Sequence, residues 1–157
     1  MIGERPATLE STILHTKFFV PRWRSRQVRR TRLVEALERG VEAKLTLVSA
    51  PAGFGKTTLL AEWLATNPTD GRLIAWLSLD SGDSHPATFW MHLVAALQTA
   101  APDVGASAAA LLQSSPSAPA SSFLPGLLNQ LSGLRGELVL ILDDFHVIES
   151  PDVQEGL

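Results

Sequence analysis

Apolar residues along this chain fall into two patterns that alternate. Three short runs are almost wholly apolar: Leu45-Thr46-Leu47-Val48, Leu73 to Leu79, and Leu138-Val139-Leu140-Ile141-Leu142. Runs of this length, closed by turn residues, predict buried strands. The last, with five apolar positions in a row, is the kind buried on both faces of a parallel sheet. Around them the apolar positions recur at helical spacing. Val28, Leu33, Val34 and Leu37 do so before the first run, with Glu35, Glu38 and Arg39 on the opposite side and Gly40 as the terminating residue. Leu59-Leu60-Ala61-Glu62-Trp63-Leu64-Ala65 predicts a second helix. Phe89, Trp90, Leu93, Val94 and Leu97 give a third with a continuous apolar stripe. Phe123, Leu127, Leu128, Leu131 and Leu134 give another, bracketed at its end by Gly133 and Gly136, and Ala106 to Leu112 fits a shorter one.

The intervening residues punctuate these elements. Leu14 to Arg22, closed by Pro21, predicts a lead-in strand or extended segment, and residues 1–12 are expected to fray. Asn67 to Gly71 predicts a turn. Ser81 to Pro86 predicts a loop with Pro86 at the first helical position, and Ser114 to Pro119 a flexible loop. There is no internal repeat. Strands alternating with helices argue for an α/β domain with a parallel sheet and right-handed crossovers.

Composition narrows the picture in three ways. The 157 residues fit one domain, and an apolar content of 45% is enough for a real core. No run approaches the length of a membrane span, and the first twenty residues lack a signal peptide's apolar centre, so a cytoplasmic location without membrane partners is expected. Cysteine is absent, which excludes disulfides and thiolate metal sites. The net charge of −3 hides an asymmetry. Residues 1–43 hold nine Lys/Arg and five Asp/Glu, whereas residues 44–157 hold four and eleven. The basic arm is either a nucleic-acid arm or a solvated arm folded over an acidic body or near bound phosphates.

The chemistry concentrates at Ser49-Ala50-Pro51-Ala52-Gly53-Phe54-Gly55-Lys56-Thr57-Thr58, between the first apolar run and the helix from Leu59. Strand, glycine-rich turn, helix is the context of a phosphate-binding loop. Glycines let several N–H groups converge on one anion, and the helix N-terminus adds its positive dipole end. Lys56 is placed to reach the β- and γ-phosphates and the Thr57 hydroxyl to ligate Mg2+. Ala50 stands where the Walker A pattern has its first glycine, which requires a negative φ there. A second motif lies downstream. The apolar run 138–142 ends in Asp143-Asp144, as a Walker B strand does, and ligands of open parallel sheets sit outside the strands' carboxyl ends. Asp143 is the expected Mg2+ residue, and Asp144 the one that orients or polarises the attacking water. His15, His92 and His146 lack metal-site spacing. Trp63, Trp76 and Trp90 are expected in the core, and Trp23, flanked by arginines, lacks the second aromatic a base-stacking arm needs.

Taken together, Thr16-Lys17 with Pro21-Arg22, Val28 to Leu33, Leu45 to Leu60, Ala75 to Asp80 and Leu140 to His146 resemble the amino-terminal part of the MalT-like regulators. These are LuxR-family transcriptional activators of the STAND class of signal-transducing ATPases. The resemblance covers nearly the whole chain and includes the alanine at position 50. One departure is His85, where the family usually carries an aspartate cap. The resemblance implies a P-loop NTPase three-layer sandwich, with a basic arm and lead-in helix over 1–43 and an incomplete nucleotide-binding domain over 44–157. It implies a switch module binding ATP or ADP with Mg2+, a slow ATPase in the full-length protein. Ala52, Gly53, Phe54, Gly55, Lys56, Thr57 and Thr58 would hold the phosphates, Val28 would pack on adenine and Arg30 would make a polar contact there. Self-association, and DNA binding through a carboxyl-terminal domain outside this chain, are implied for the whole protein. So is a strand after Asp143, inserted between the phosphate-loop strand and the Asp143 strand. Without it residues 1–157 alone are expected to be marginally stable and poorly active. The alternatives are a nucleic-acid module using the basic arm and an inactive gene fragment.

Overall fold

The computed structural model describes residues 14–23, 28–66 and 71–157. The expectations for residues 1–12 and for most of the turn at 67–71 lie outside them. Two strands, β1 (Leu73–Ser78) and β2 (Leu138–Asp143), pair in parallel, with Leu73 opposite Leu138 and Ser78 opposite Asp143. Among the described residues six α-helices surround them: α1 (Thr31–Val41), α2 (Lys56–Thr66), α3 (Pro86–Ala100), α4 (Ala106–Ser114), α5 (Leu124–Ser132) and α6 (Pro151–Gly156).

The strand period of two sorts the sheet's side chains into two cores. Ala75 and Leu77 of β1, with Leu138, Leu140 and Leu142 of β2, face a large cluster built by α3, α4 and α5. Trp76 and Ile141, with Ile74 and Val139, face a smaller cluster made by α1 and α2, where Val34, Leu37, Leu59 and Trp63 are buried. Helices on both faces of a parallel sheet make the expected three-layer α/β sandwich. The α3 stripe is buried as predicted, and Phe89, Trp90 and Phe123 interlock edge to face at centroid separations of 5.1 and 5.6 Å. Trp63, Trp76 and Trp90 are all core residues.

Three expectations change. Residues 44–48 form no strand: among the described residues the sheet has only β1 and β2. Leu45 and Leu47 are 86% and 83% exposed, and only Val48 packs against the smaller core. The run has the composition of a strand but no ladder partner, and composition cannot supply one. The lead-in segment is not extended throughout, because His15–Phe18 is a 3-10 turn. The first helix runs through Gly40 to Val41, and the Thr46 hydroxyl donates to the Gly40 carbonyl at 2.6 Å. Val28 lies before that helix and is 85% exposed, so it belongs to no apolar stripe.

Candidate nucleotide site

The loop 49–55 leads directly into α2. Gly53 and Gly55 have φ of +80° and +74°, the left-handed region that favours glycine, and these two turns curl the chain back on itself. Ala50 does not share that conformation: Asp144 is the one non-glycine residue with positive φ among the described residues. The alanine is therefore compatible with the loop. The first helical bond runs from Leu59 N–H to the Gly55 carbonyl at 2.9 Å, so α2 points its N-terminus into the curl. Ala52, Gly53 and Phe54 are exposed, while Gly55 to Thr58 are half-buried. The Lys56 ammonium folds across the loop and donates to the carbonyls of Ala50 (2.9 Å) and Pro51 (3.4 Å).

Asp143, the last residue of β2, meets this loop. The Thr57 hydroxyl lies 3.0 and 2.9 Å from its two carboxylate oxygens, a contact between residues 86 apart in sequence. The carboxylate is taken out of water, with Asp143 only 6% exposed. Burial pushes its pKa above the usual carboxylate value, and the nearby Asp144 charge adds to this. The Thr57 hydrogen bond and the Lys56 charge pull the other way without winning. Asp144 follows in the left-handed region at φ 59°, exposed, with its Oδ1 3.8 Å from His146 Nδ1.

The raised Asp143 pKa carries a sign. The folded state holds this proton more tightly than the unfolded chain, so the group's contribution to stability is full below the unfolded pKa and is lost as pH rises through the folded one. Any cation held by the ionised carboxylate must also compete with that proton. A pH titration of the Asp143 carboxyl carbon by NMR should show a midpoint above the ordinary aspartate value. Thr57→Val, which removes a hydrogen bond to the ionised form, should move it further up. A midpoint at or below the ordinary aspartate value would contradict the burial argument.

Arg30 is also brought to the loop, but not as a free side chain. Its guanidinium Nη1 donates to the carbonyls of Phe54 (2.8 Å) and Gly55 (3.4 Å), and its main-chain N–H donates to the Glu62 carboxylate at 3.0 and 3.3 Å. Only Nη1 is engaged among the described residues. Val28, two residues earlier, is exposed. Trp23 faces the Arg29 guanidinium at 5.9 Å from its ring centroid, a cation–π pairing within the arm itself.

Two features went unread in the sequence. Glu62 is a buried carboxylate, 2% exposed, amid apolar residues of α2. A lone acid inside the run Leu59 to Leu64 was the available signal. The other is a buried polar cluster of Lys17, Asp83 and His92. Its signal was the Asp80-Ser81-Gly82-Asp83 spacing of a capping box, which the structure forms. No helix among the described residues is long and apolar enough to cross a membrane.

Comparison with known proteins places the chain in a family. A family model described as an AAA ATPase domain matches residues 22–155. The chain is similar to proteins named HTH-type transcriptional regulator MalT: 35% identical over 153 residues to that of Cronobacter sakazakii, 36% to that of Yersinia enterocolitica and 34% to that of Klebsiella pneumoniae. Each alignment covers 98% of this chain and 15% of the relative, so the chain spans about a seventh of their length.

Proposed function

Because the chain belongs to the AAA ATPase domain family, we propose that it is the ATP-binding switch module of a STAND-class, LuxR-family transcriptional regulator. In this reading residues 1–43 are the arm and lead-in helix, and 44–157 carry the nucleotide site. Ala52 to Thr58 hold the phosphates of ATP or ADP as a Walker A loop. Thr57 and Asp143 hold Mg2+, with Asp143 closing a Walker B strand. The observation that carries the reading is the Thr57–Asp143 contact. It joins a doubly left-handed glycine loop at a helix N-terminus to the acidic end of a neighbouring strand. A hydroxyl and a carboxylate side by side are hard oxygen donors, the set that suits Mg2+.

Each residue's part follows from its place. The loop N–H groups and the start of α2 face an anion, and Lys56 exchanges its carbonyl partners for phosphate oxygens. Bound Mg2+ would neutralise charge on the β- and γ-oxygens. Asp144, turned into solvent by its left-handed backbone, orients the attacking water. Val28 offers exposed apolar surface to adenine, and the remaining Arg30 N–H groups offer a polar contact there. Slow hydrolysis, self-association and DNA contact through a separate domain are proposed for the longer protein. The basic arm as a nucleic-acid module is the weaker reading, since Arg29 already occupies Trp23.

The two aspartates separate the roles. Asp143→Ala should lower Mg-ATP affinity at least tenfold in calorimetry, lose the Mg2+ dependence of binding and depress turnover with it. Asp144→Ala should spare binding and slow hydrolysis by about a hundredfold, the range of a positioned general base. Equal loss of binding in both variants would refute these assignments.

A further inference from the structure

Arg30 links Glu62 at one end of a short chain of contacts to the nucleotide loop at the other. Glu62 is on α2, two turns after the loop. Its buried carboxylate accepts the Arg30 main-chain N–H through both oxygens, at 3.0 and 3.3 Å. Arg30 precedes α1, and that N–H has no helical partner of its own. From the same residue the guanidinium reaches over to the carbonyls of Phe54 and Gly55. The path therefore leaves α2 at Glu62, passes through Arg30 and returns to the residues immediately before α2.

The geometry at Gly55 shows how close this approach is. A Cβ placed there would lie 3.0 Å from Arg30 Nη2 and 3.3 Å from Nη1, so the guanidinium lies against the glycine backbone. A cation on these two carbonyls fixes which way the Phe54 and Gly55 peptides face. With the carbonyls held toward Arg30, the N–H groups of Gly55 and Lys56 are turned the other way. A phosphate cradle needs that polarity.

We propose that Glu62 and Arg30 act as a brace that pre-sets the loop for phosphate: Glu62 is a positioning residue for Arg30, and Arg30 for the Gly53–Gly55 turn. The buried carboxylate then has a task that packing alone does not explain. An apolar side chain could be buried at that position without a partner, whereas a carboxylate needs its hydrogen bonds there. The inference deepens the ATP reading and rests on it for the phosphate, but the brace itself exists without any ligand.

Two measurements on the whole chain keep the brace and the ATP reading distinguishable. The first is amide hydrogen exchange in nucleotide-free protein, comparing wild type with Arg30→Ala, Glu62→Ala and Glu62→Gln. Arg30→Ala removes the guanidinium and leaves the Glu62 bond intact. It should speed exchange at residues 53–56 about tenfold while the β1 and β2 amides stay unchanged. Glu62→Ala should do the same at 53–56, and Glu62→Gln, which keeps a carbonyl acceptor, should restore most of the protection. Unchanged exchange at 53–56 in Arg30→Ala overturns the brace, whatever the protein binds. The second is calorimetric affinity for ATP and for inorganic tripolyphosphate. Both should weaken in parallel, by about tenfold, in Arg30→Ala, the size of one charged hydrogen bond. Loss for ATP with tripolyphosphate unaffected would overturn the positioning role and make Arg30 a base or ribose contact only. Wild-type protein that binds neither ligand would instead refute the ATP reading, with the exchange result still deciding the brace.

Discussion

Replacing Lys56 with alanine is expected to lower the affinity for Mg-ATP by about a hundredfold or more, with little change in the thermal melt. Lys56 carries the one full positive charge that the 49–58 loop itself contains. In the structure its ammonium donates to two loop carbonyls, those of half-buried Ala50 and exposed Pro51. Neither residue is fully buried, so water can replace the ammonium at those carbonyls and the folding cost is small. In the bound state the same ammonium would make charge-assisted bonds to phosphate oxygens, each worth about 1.5–3 kcal/mol, and two such bonds account for the expected loss. Lys56→Arg is a useful companion. It preserves charge but places a planar fork where a compact ammonium fits, and it should recover only part of the affinity. Isothermal calorimetry with and without Mg2+, beside a melting curve for each variant, reads all of this. A Lys56→Ala protein that binds ATP as tightly as the wild type would remove the loop from the site altogether.

What the sequence allows one to foresee here follows physical range. The loop, α2, β1, β2 and the α3 stripe are specified by residues within a few positions of one another, and their patterns were readable. The Thr57–Asp143 contact spans 86 residues, yet each end carries its own local motif, a glycine-rich turn before a helix and an apolar run closed by two aspartates. Residues 45–48 show the opposite case. Leu45 and Leu47 look like strand residues, but a strand exists only when another strand completes its hydrogen bonds, and that partner is no property of the run itself. For Arg30 the family resemblance implies only a polar contact in an adenine pocket. Its bonds to the Phe54 and Gly55 carbonyls depend on how α1 and α2 pack against each other, which no local pattern encodes. The buried polar cluster was hidden for the same reason, since a lysine, an aspartate and a histidine each read as surface residues until they meet.

That cluster carries the largest expected effect on stability. Asp83→Ala should lower it by about 3–5 kcal/mol, the cost of breaking a buried ion pair from one side. Asp83 is fully buried. Its Oδ2 accepts from the Lys17 ammonium and from the Asp80 main-chain N–H at 2.8 Å, and its Oδ1 meets His92 Nδ1 at 2.6 Å. Lys17 is itself buried, and its other carboxylate partner, Asp80 at 2.8 Å, is largely exposed. Burial alone would lower the Lys17 pKa, but the hydrogen bonds from Asp80 and Asp83 outweigh it and raise the pKa above its ordinary value, so the amine stays charged. Take Asp83 away and that charge is left in the protein with one solvent-screened partner. His92 then has neither ring nitrogen bonded, because its buried Nε2 already lacks a partner among the described residues. The reciprocal half of the capping box, the Asp80 N–H bond to the Asp83 carboxylate, is lost as well. For a chain of this size each kcal/mol moves the melting midpoint by about 2–4 °C, so a fall of about 10 °C is expected. Because Lys17 ties the His15–Phe18 turn to the end of β1, exchange protection there should drop first. The double variant Lys17→Met, Asp83→Leu removes charge from both sides and should recover much of the loss, which separates an unpaired charge from a merely damaged core. A melt of Asp83→Ala within 2 °C of the wild type, or a double variant no better than the single, would show that the cluster is not what holds this segment to the domain.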